Sequence, residues 1–154
     1  MTPVQRDYIL RMIEMVAAAI ARVLRRRQEK DFVGARQEIA AAIGEVLGPR
    51  GAIAAMADSR TAADLISDPR QIALYSRLLA EDADVLDEMG DPATGRSVRQ
   101  RALELLLETT IRKMEVRDED RAQLRLLSSR VDRTSLAPRY ADGLRAENQS
   151  APIE

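Results

Sequence analysis

Six acidic residues fall within eleven positions of one predicted helix and the turn that follows it: Glu81, Asp82, Asp84, Asp87, Glu88 and Asp91. Three of them, Asp84, Asp87 and Glu88, share one helix face at spacings of three and four. Carboxylates this close could bind a divalent cation or supply the acid and base of a hydrolase. They also repel one another near the negative end of the helix dipole, so some other group must offset their charge.

Four cations end the first predicted helix: Arg25, Arg26, Arg27 and Lys30. They could bind phosphate or acidic peptides, although the simpler interpretation is that they complement the C-terminal end of the helix dipole. In stacked hairpins the first and third helices run parallel, so their C-terminal ends meet at one edge. We therefore predict that residues 25–27 lie near residues 84–88. We treat the following residues as a candidate interaction edge: Arg25, Arg26, Arg27, Lys30, Asp84, Asp87 and Glu88.

The chain contains neither Cys nor His. This composition removes thiolate chemistry, the commonest general base and the commonest transition-metal ligand. Glycine-rich phosphate loops and nucleophile elbows are also missing from the sequence. We therefore predict no catalytic residue, no cofactor and no metal ion, and a protein that is not an enzyme.

Composition and hydrophobic periodicity predict an all-α domain. The 154 residues carry a formal charge of −1, although 32% of them are charged. Five main helices are predicted at 4–29, 32–47, 69–89, 92–114 and 118–131, with only short helical pieces in 48–68. Residues 1–131 therefore form a single helical domain and residues 132–154 a flexible tail. Within that tail, Leu136, Tyr140 and Leu144 are spaced by four, which leaves open a short helix that docks on a hairpin.

The first helix has a long apolar stripe, made of Ile9, Met12, Ile13, Val16, Ile20, Val23 and Leu24. Its steps of three and four predict one face packed into the core. Arg11 and Glu14 interrupt the run, so we expect neither a signal peptide nor a membrane-spanning helix here. With no membrane segment and no Cys, we predict a cytoplasmic protein.

An offset of 60 residues aligns two of the predicted hairpins. It pairs Asp31 with Asp91 and makes five further pairs in the second helices: Ala35 with Gly95, Ala42 with Ala102, Ile43 with Leu103, Val46 with Leu106 and Leu47 with Leu107. Small residues at such positions allow adjacent helices to approach closely. The segment KDFVGARQEIAAAI resembles the second helix of a tetratricopeptide repeat, which implies antiparallel hairpins stacked in tetratricopeptide-like fashion. The offset differs from the 34 residues of that repeat.

The opening segment, QRDYILRMIEMVAAAIARVL followed by KDFVGARQEI, also resembles an uncharacterised family of small bacterial helical proteins with tetratricopeptide-like hairpins. The resemblance covers residues 5–47 and implies no activity, so no functional residue is transferred from it.

We interpret the chain as a non-enzymatic module that binds a protein or peptide partner across a groove between hairpins. This rests partly on fold-level analogy. A regulator that contacts nucleic acid through the basic residues at 25–30 is the first alternative, although the absence of a broad basic surface disfavours it. A hydrolase or metal-dependent enzyme using the acids of the third helix is the second. An exposed part of the third helix would also permit a homo-oligomer.

Overall fold

The computed structural model describes residues 2–150, and all regular structure in that range is helical. Eight α-helices follow one another: α1 (Pro3–Gln28), α2 (Phe32–Leu47), α3 (Gly51–Met56), α4 (Ser59–Ile66), α5 (Pro69–Glu88), α6 (Pro92–Ile111), α7 (Asp118–Arg130) and α8 (Pro138–Ser150). The prediction of an all-α fold is confirmed, and its five main helices correspond to α1, α2, α5, α6 and α7.

The helices form stacked antiparallel hairpins. Helices α1 and α2 make the first hairpin, and α5 and α6 make the second. Both helices of the first hairpin pack against α5, while α6 packs against α4, α7 and α8. Helix α5 therefore lies at the centre, in contact with neighbours on several sides, and α1 and α5 run in the same direction.

Three helices end in the same turn. The residues Lys30, Gly90 and Lys113 follow α1, α5 and α6 with positive φ angles of 57°, 89° and 56°. In each turn two backbone N–H groups return to carbonyls of the last helical turn, as in Asp31 N to Arg26 O at 2.8 Å. These are Schellman turns, which satisfy the free carbonyls of a helix end.

The 60-residue offset has a structural counterpart. Asp31 and Asp91 both cap the second helix of their hairpin by accepting backbone N–H groups, from Gly34 and Thr94 respectively. The small residues at the paired positions Ala35 and Gly95 are buried. A Cβ on Gly95 would lie 2.3 Å from a carboxylate oxygen of Asp87 and 3.1 Å from the backbone oxygen of Ala83, so a larger residue would displace the Asp87 side chain and crowd α5.

The apolar stripe of α1 lies in the core, as predicted, but its centre is shifted. The buried residues are Ile9, Met12, Val16, Ala19 and Val23. Three residues assigned to the core stripe are not buried: Leu24 is 44% exposed, and Ile13 and Ile20 are half-buried. These three lie on one flank of the helix, beside the core stripe.

The prediction of a flexible tail is wrong for residues 138–150, which form α8 and pack on α6. Leu136, Tyr140 and Leu144 are buried, in agreement with the docking alternative. Periodicity alone did not predict this helix because its remaining residues are mostly polar. Residues 151–154 of the predicted tail lie outside the described residues.

A buried carboxylate joins α8 to α6. The side chain of Glu108 is fully buried and accepts hydrogen bonds from Arg139 at 2.8 Å, Arg112 at 2.9 Å and the Tyr140 hydroxyl at 2.9 Å. Burial raises its pKa, but these three donors outweigh burial and hold the pKa of Glu108 at about 2. Burial and the hydrogen bond to Glu108 together raise the pKa of Tyr140.

One segment, Phe32–Met56, is long and apolar enough to cross a membrane by length and mean hydropathy alone. The chain is interrupted within it, because α2 ends at Gly48 with a φ of 60° and a short turn precedes α3. The apolar stripe of α2, including Ile39, Ala42 and Val46, lies in the core of the hairpins.

We predict that Lys30→Gly stabilises the fold by roughly 0.5–1 kcal/mol. Glycine removes a backbone strain of about 1–2 kcal/mol in the left-handed conformation of the folded state. It also increases the conformational entropy of the unfolded chain, which offsets part of this gain. Urea unfolding measures the change. Lys30→Ala is the matched control, because it removes the charge but keeps the strain. Gly90→Ala should cost about 1 kcal/mol, since a Cβ there meets open space and only the φ angle opposes it. A stabilisation by Lys30→Ala equal to that of Lys30→Gly would contradict this explanation.

We predict that Glu108→Gln lowers the free energy of unfolding at pH 7 by about 3 kcal/mol, the value of a pKa shift from 4.5 to about 2. A depressed pKa contributes stability above the unfolded value, and this contribution is lost as the pH falls from about 4.5 towards 2. The difference between wild type and variant should therefore shrink over that range in urea titrations. Hydrogen exchange should show lost protection in α8. Exposed Glu45→Gln is the control, and a pH-independent difference would contradict the assignment.

Candidate functional site

The acidic residues of α5 are paired with arginines from five helices. Its carboxylates are Glu81, Asp82, Asp84, Asp87 and Glu88, and their partners are Arg27, Arg36, Arg77, Arg99 and Arg130. We call these ten residues the arginine–carboxylate network. The arginines come from α1, α2, α5, α6 and α7, so the network joins α5 to each helix of both hairpins and to α7.

The predicted meeting of the ends of α1 and α5 is confirmed through Arg27. Its guanidinium forms an ion pair with Glu88, with Nε at 2.9 Å, and lies 3.6 Å from Glu81. The hydrogen bonds that Arg27 donates to Glu88 raise the pKa of Arg27. For Glu81, burial and the charge of Asp84 raise the pKa more than Arg77 and Arg27 lower it.

The middle acids of the predicted edge turn instead towards α6 and α7. Arg99 donates to Asp84 at 3.0 Å and to Asp87 at 2.6 Å, and its own residue is only 5% exposed. Arg130 lies 3.0 Å from Asp84 and 4.0 Å from Asp87. Within residues 2–150, no cluster of three or more acids is arranged to hold a metal ion.

The rest of the predicted basic edge divides into two kinds of residue. Arg26 is paired with Asp31 at 2.8 Å and with Glu38 at 3.5 Å. Arg25 and Lys30 are exposed and make no side-chain hydrogen bond or ion pair with the described residues. Five of the seven residues predicted to form one interaction edge therefore belong to internal ion pairs. The other two, Arg25 and Lys30, are free cations.

A groove runs along α1 on the side that the prediction had assigned to the core. Its wider part, of about 720 Å³, lies between residues 5–13 of α1, the start of α5 and the connection between α6 and α7. Its narrower part, of about 260 Å³, lies between residues 13–20 of α1, α5 and the start of α7. Both parts share Ile13 and Arg117, so they adjoin each other along α1, and we describe them together as the groove.

The groove follows a second apolar stripe of α1, made of Leu10, Ile13, Ala17, Ile20 and Leu24. Its steps of three and four repeat those of the buried stripe one residue later. Leu10 is 50% exposed and Ala17 is exposed. Ala17 and Ala73 face the narrow part, where their small side chains leave a recess also lined by Val16, Ile20 and Leu74.

The charges at the rim of the groove are unevenly paired. Arg117 is joined to Asp120 at 3.0 Å, and Arg77 lies 3.6 Å from Glu81. Glu115 and Glu119, on the wall opposite α1, are exposed and make no hydrogen bond or ion pair with residues 2–150. This wall therefore carries a net negative charge beside an apolar surface, although Arg117 also attracts Glu119. On the α1 side of the wider part, Arg6 is an exposed cation with no side-chain partner among residues 2–150.

The groove and four of the five network arginines were not predicted from the sequence. The apolar residues of α1 were recognised in the sequence, but the buried stripe and the second stripe were predicted as a single core face. The partnership of Arg99 and Arg130 with Asp84 had no sequence signal, because the residues are far apart in the chain and come together only through helix packing.

Comparison with protein-family models, curated proteins and solved structures finds no match to this chain.

We predict that Arg99→Met costs roughly 2–4 kcal/mol of unfolding free energy, because it leaves two neighbouring carboxylates without their buried partner. Arg130→Met should cost less than about 1 kcal/mol, since that side chain is 43% exposed. Urea unfolding of both variants measures the difference. Equal costs would show that the burial of Arg99 does not decide its contribution.

Proposed function

We propose that this protein is an interaction module that binds a segment of a partner protein in the groove between α1, α5 and α7. The observation that carries the proposal is the exposure of the second stripe of α1 along the groove. Leu10 and Ala17 are exposed there, and Ile13 and Ile20 are half-buried. Apolar grooves between helices commonly receive peptide or helix ligands. Stacked hairpins fit this function by analogy only.

The nucleic-acid alternative finds less support. Arg26 and Arg27 are engaged in internal ion pairs, which leaves Arg25 and Lys30 as the free cations of that cluster. Two separate cations give a small electrostatic surface for a phosphate backbone. The enzymatic alternative also finds less support. It requires free carboxylates on α5, but each acid of that helix is paired with an arginine. Cytoplasmic localisation, a homo-oligomer and the relation to the bacterial helical family stay predictions.

A photo-crosslinking amino acid at position 17, inside the groove, tests the proposal in cells. We expect discrete crosslinked products that disappear when Ile13→Glu places a charge on the groove wall. The same crosslinker at Ala41, exposed on α2, is the matched control. Equal products from both positions, or none from position 17, would contradict the groove as the binding surface. Circular dichroism of Ile13→Glu separates lost binding from lost folding.

A further inference from the structure

The narrow part of the groove has the size and lining of a pocket for one large side chain. Ala17 and Ala73 supply small side chains to its two long walls, while Ile13, Ile20 and Leu74 surround them. Binding energy in protein interfaces concentrates on such anchors, which fill a desolvated pocket near the centre of the contact. A leucine, methionine or phenylalanine of a partner would therefore bind over Ala17.

The geometry of α1 favours a helical partner. The stripe of Leu10, Ile13, Ala17 and Ile20 has the 3-4 spacing with which one helix receives the side chains of another. The lined part of α1, residues 5–20, spans about 22 Å at 1.5 Å per residue, or about four helical turns. Because α1, α5 and α7 are the helices beside the narrow part, a partner helix would lie along the groove as an additional helix of the bundle.

The charge on the wall opposite α1 selects the sign of the partner's flank that faces it, whereas Arg6 lies on the α1 side of the wider part. Glu115 and Glu119 are exposed and unpaired, whereas Asp120 beside them is already neutralised by Arg117. Acids in the first turn of α7 also complement its helix dipole, but that role does not require them to face an apolar groove. A partner with Lys or Arg on the flank next to this wall would pair with both carboxylates.

We propose, resting on the function proposed above, that the occupant of this groove is a basic amphipathic helix of another protein. Its apolar residues, spaced by three and four, contact the second stripe of α1, with one large residue in the recess at Ala17. Its Lys or Arg residues contact Glu115 and Glu119. Complementary charge at the rim affects specificity and orientation more than affinity. The preference of the groove for a basic over an acidic helix is therefore the most direct test of the proposal.

Three synthetic helical peptides of 18 residues test this proposal by fluorescence anisotropy with the full chain. The first carries Leu at 3-4 spacing and Lys on one flank, the second replaces those Lys with Glu, and the third scrambles the first so that the periodicity is lost. We expect the Lys peptide to bind about tenfold more tightly than the Glu peptide, the value of two exposed charge pairs changed from attraction to repulsion. The scrambled peptide should not bind, and raising the salt should weaken the preference.

Charge exchange supplies the decisive variant. Glu115→Lys with Glu119→Lys should reverse the preference, so that the Glu peptide binds more tightly. Glu29→Lys with Glu45→Lys makes the same change of net charge at exposed acids away from the groove and should leave the preference unchanged. Ala17→Leu fills the recess and should weaken binding of the Lys peptide at least tenfold while thermal unfolding stays cooperative.

The outcomes separate this proposal from the more general one. Equal binding of the Lys and Glu peptides, no binding of either, or an unchanged preference in the charge-exchanged variant overturns the basic-helix proposal. Groove-specific crosslinking from position 17 would still support the interaction module in those cases. A homodimer in analytical ultracentrifugation that Ala17→Leu dissociates would assign the groove to a second copy and also overturn the basic-helix proposal.

Discussion

The fold depends on neutralising the charge of α5, its central helix. Five carboxylates on one helix repel one another, and a buried or half-buried carboxylate without a partner is strongly destabilising. Arginines of five helices, α5 included, supply the opposite charge, with separations as short as 2.6 Å between Arg99 and Asp87. Because guanidinium geometry is fixed and planar, each pair between α5 and another helix constrains the relative position of the two helices. A hairpin that slid along α5 by one helical turn, about 5.4 Å, would lose these contacts.

The same network decides which parts of the molecule remain available for binding. The acids of α5 and the arginines at the end of α1 look like functional groups in the sequence, but the fold uses most of them internally. Arg99 is buried, whereas Arg36, Arg77 and Arg130 are 43–46% exposed at their side chains. The ion pairs join α5 to α1, α2, α6 and α7, and the groove along α1 lies beside them.

The groove exists because α1 carries more apolar surface than its neighbours cover. The first stripe, Ile9 to Val23, is buried against α2 and α5. The second stripe lies one residue further round the helix and faces the start of α7. The side chains at the start of α7 lie beside this stripe but do not cover it. Helix α8 packs on α6 and is joined to it by Glu108. Within residues 2–150, α6 therefore has a covering helix from the same chain, whereas the second stripe of α1 stays partly exposed.

The sequence by itself determined the five main helices, their order and the aspartate caps at the starts of α2, α5 and α6. Apolar spacing, Asp caps before Phe32 and Pro92, and residues at helix ends are local signals, so they are readable without a structure. It also determined that the ends of α1 and α5 meet, through parallel helices of stacked hairpins. Only the tertiary structure decided which arginine meets which acid, that residues 138–150 form a docked helix, and that the stripe of α1 divides into a buried half and an open half. These features depend on helix rotation and on residues distant in the chain, and a few tens of degrees of rotation move Ile13 or Leu24 between core and solvent without any change in the sequence pattern.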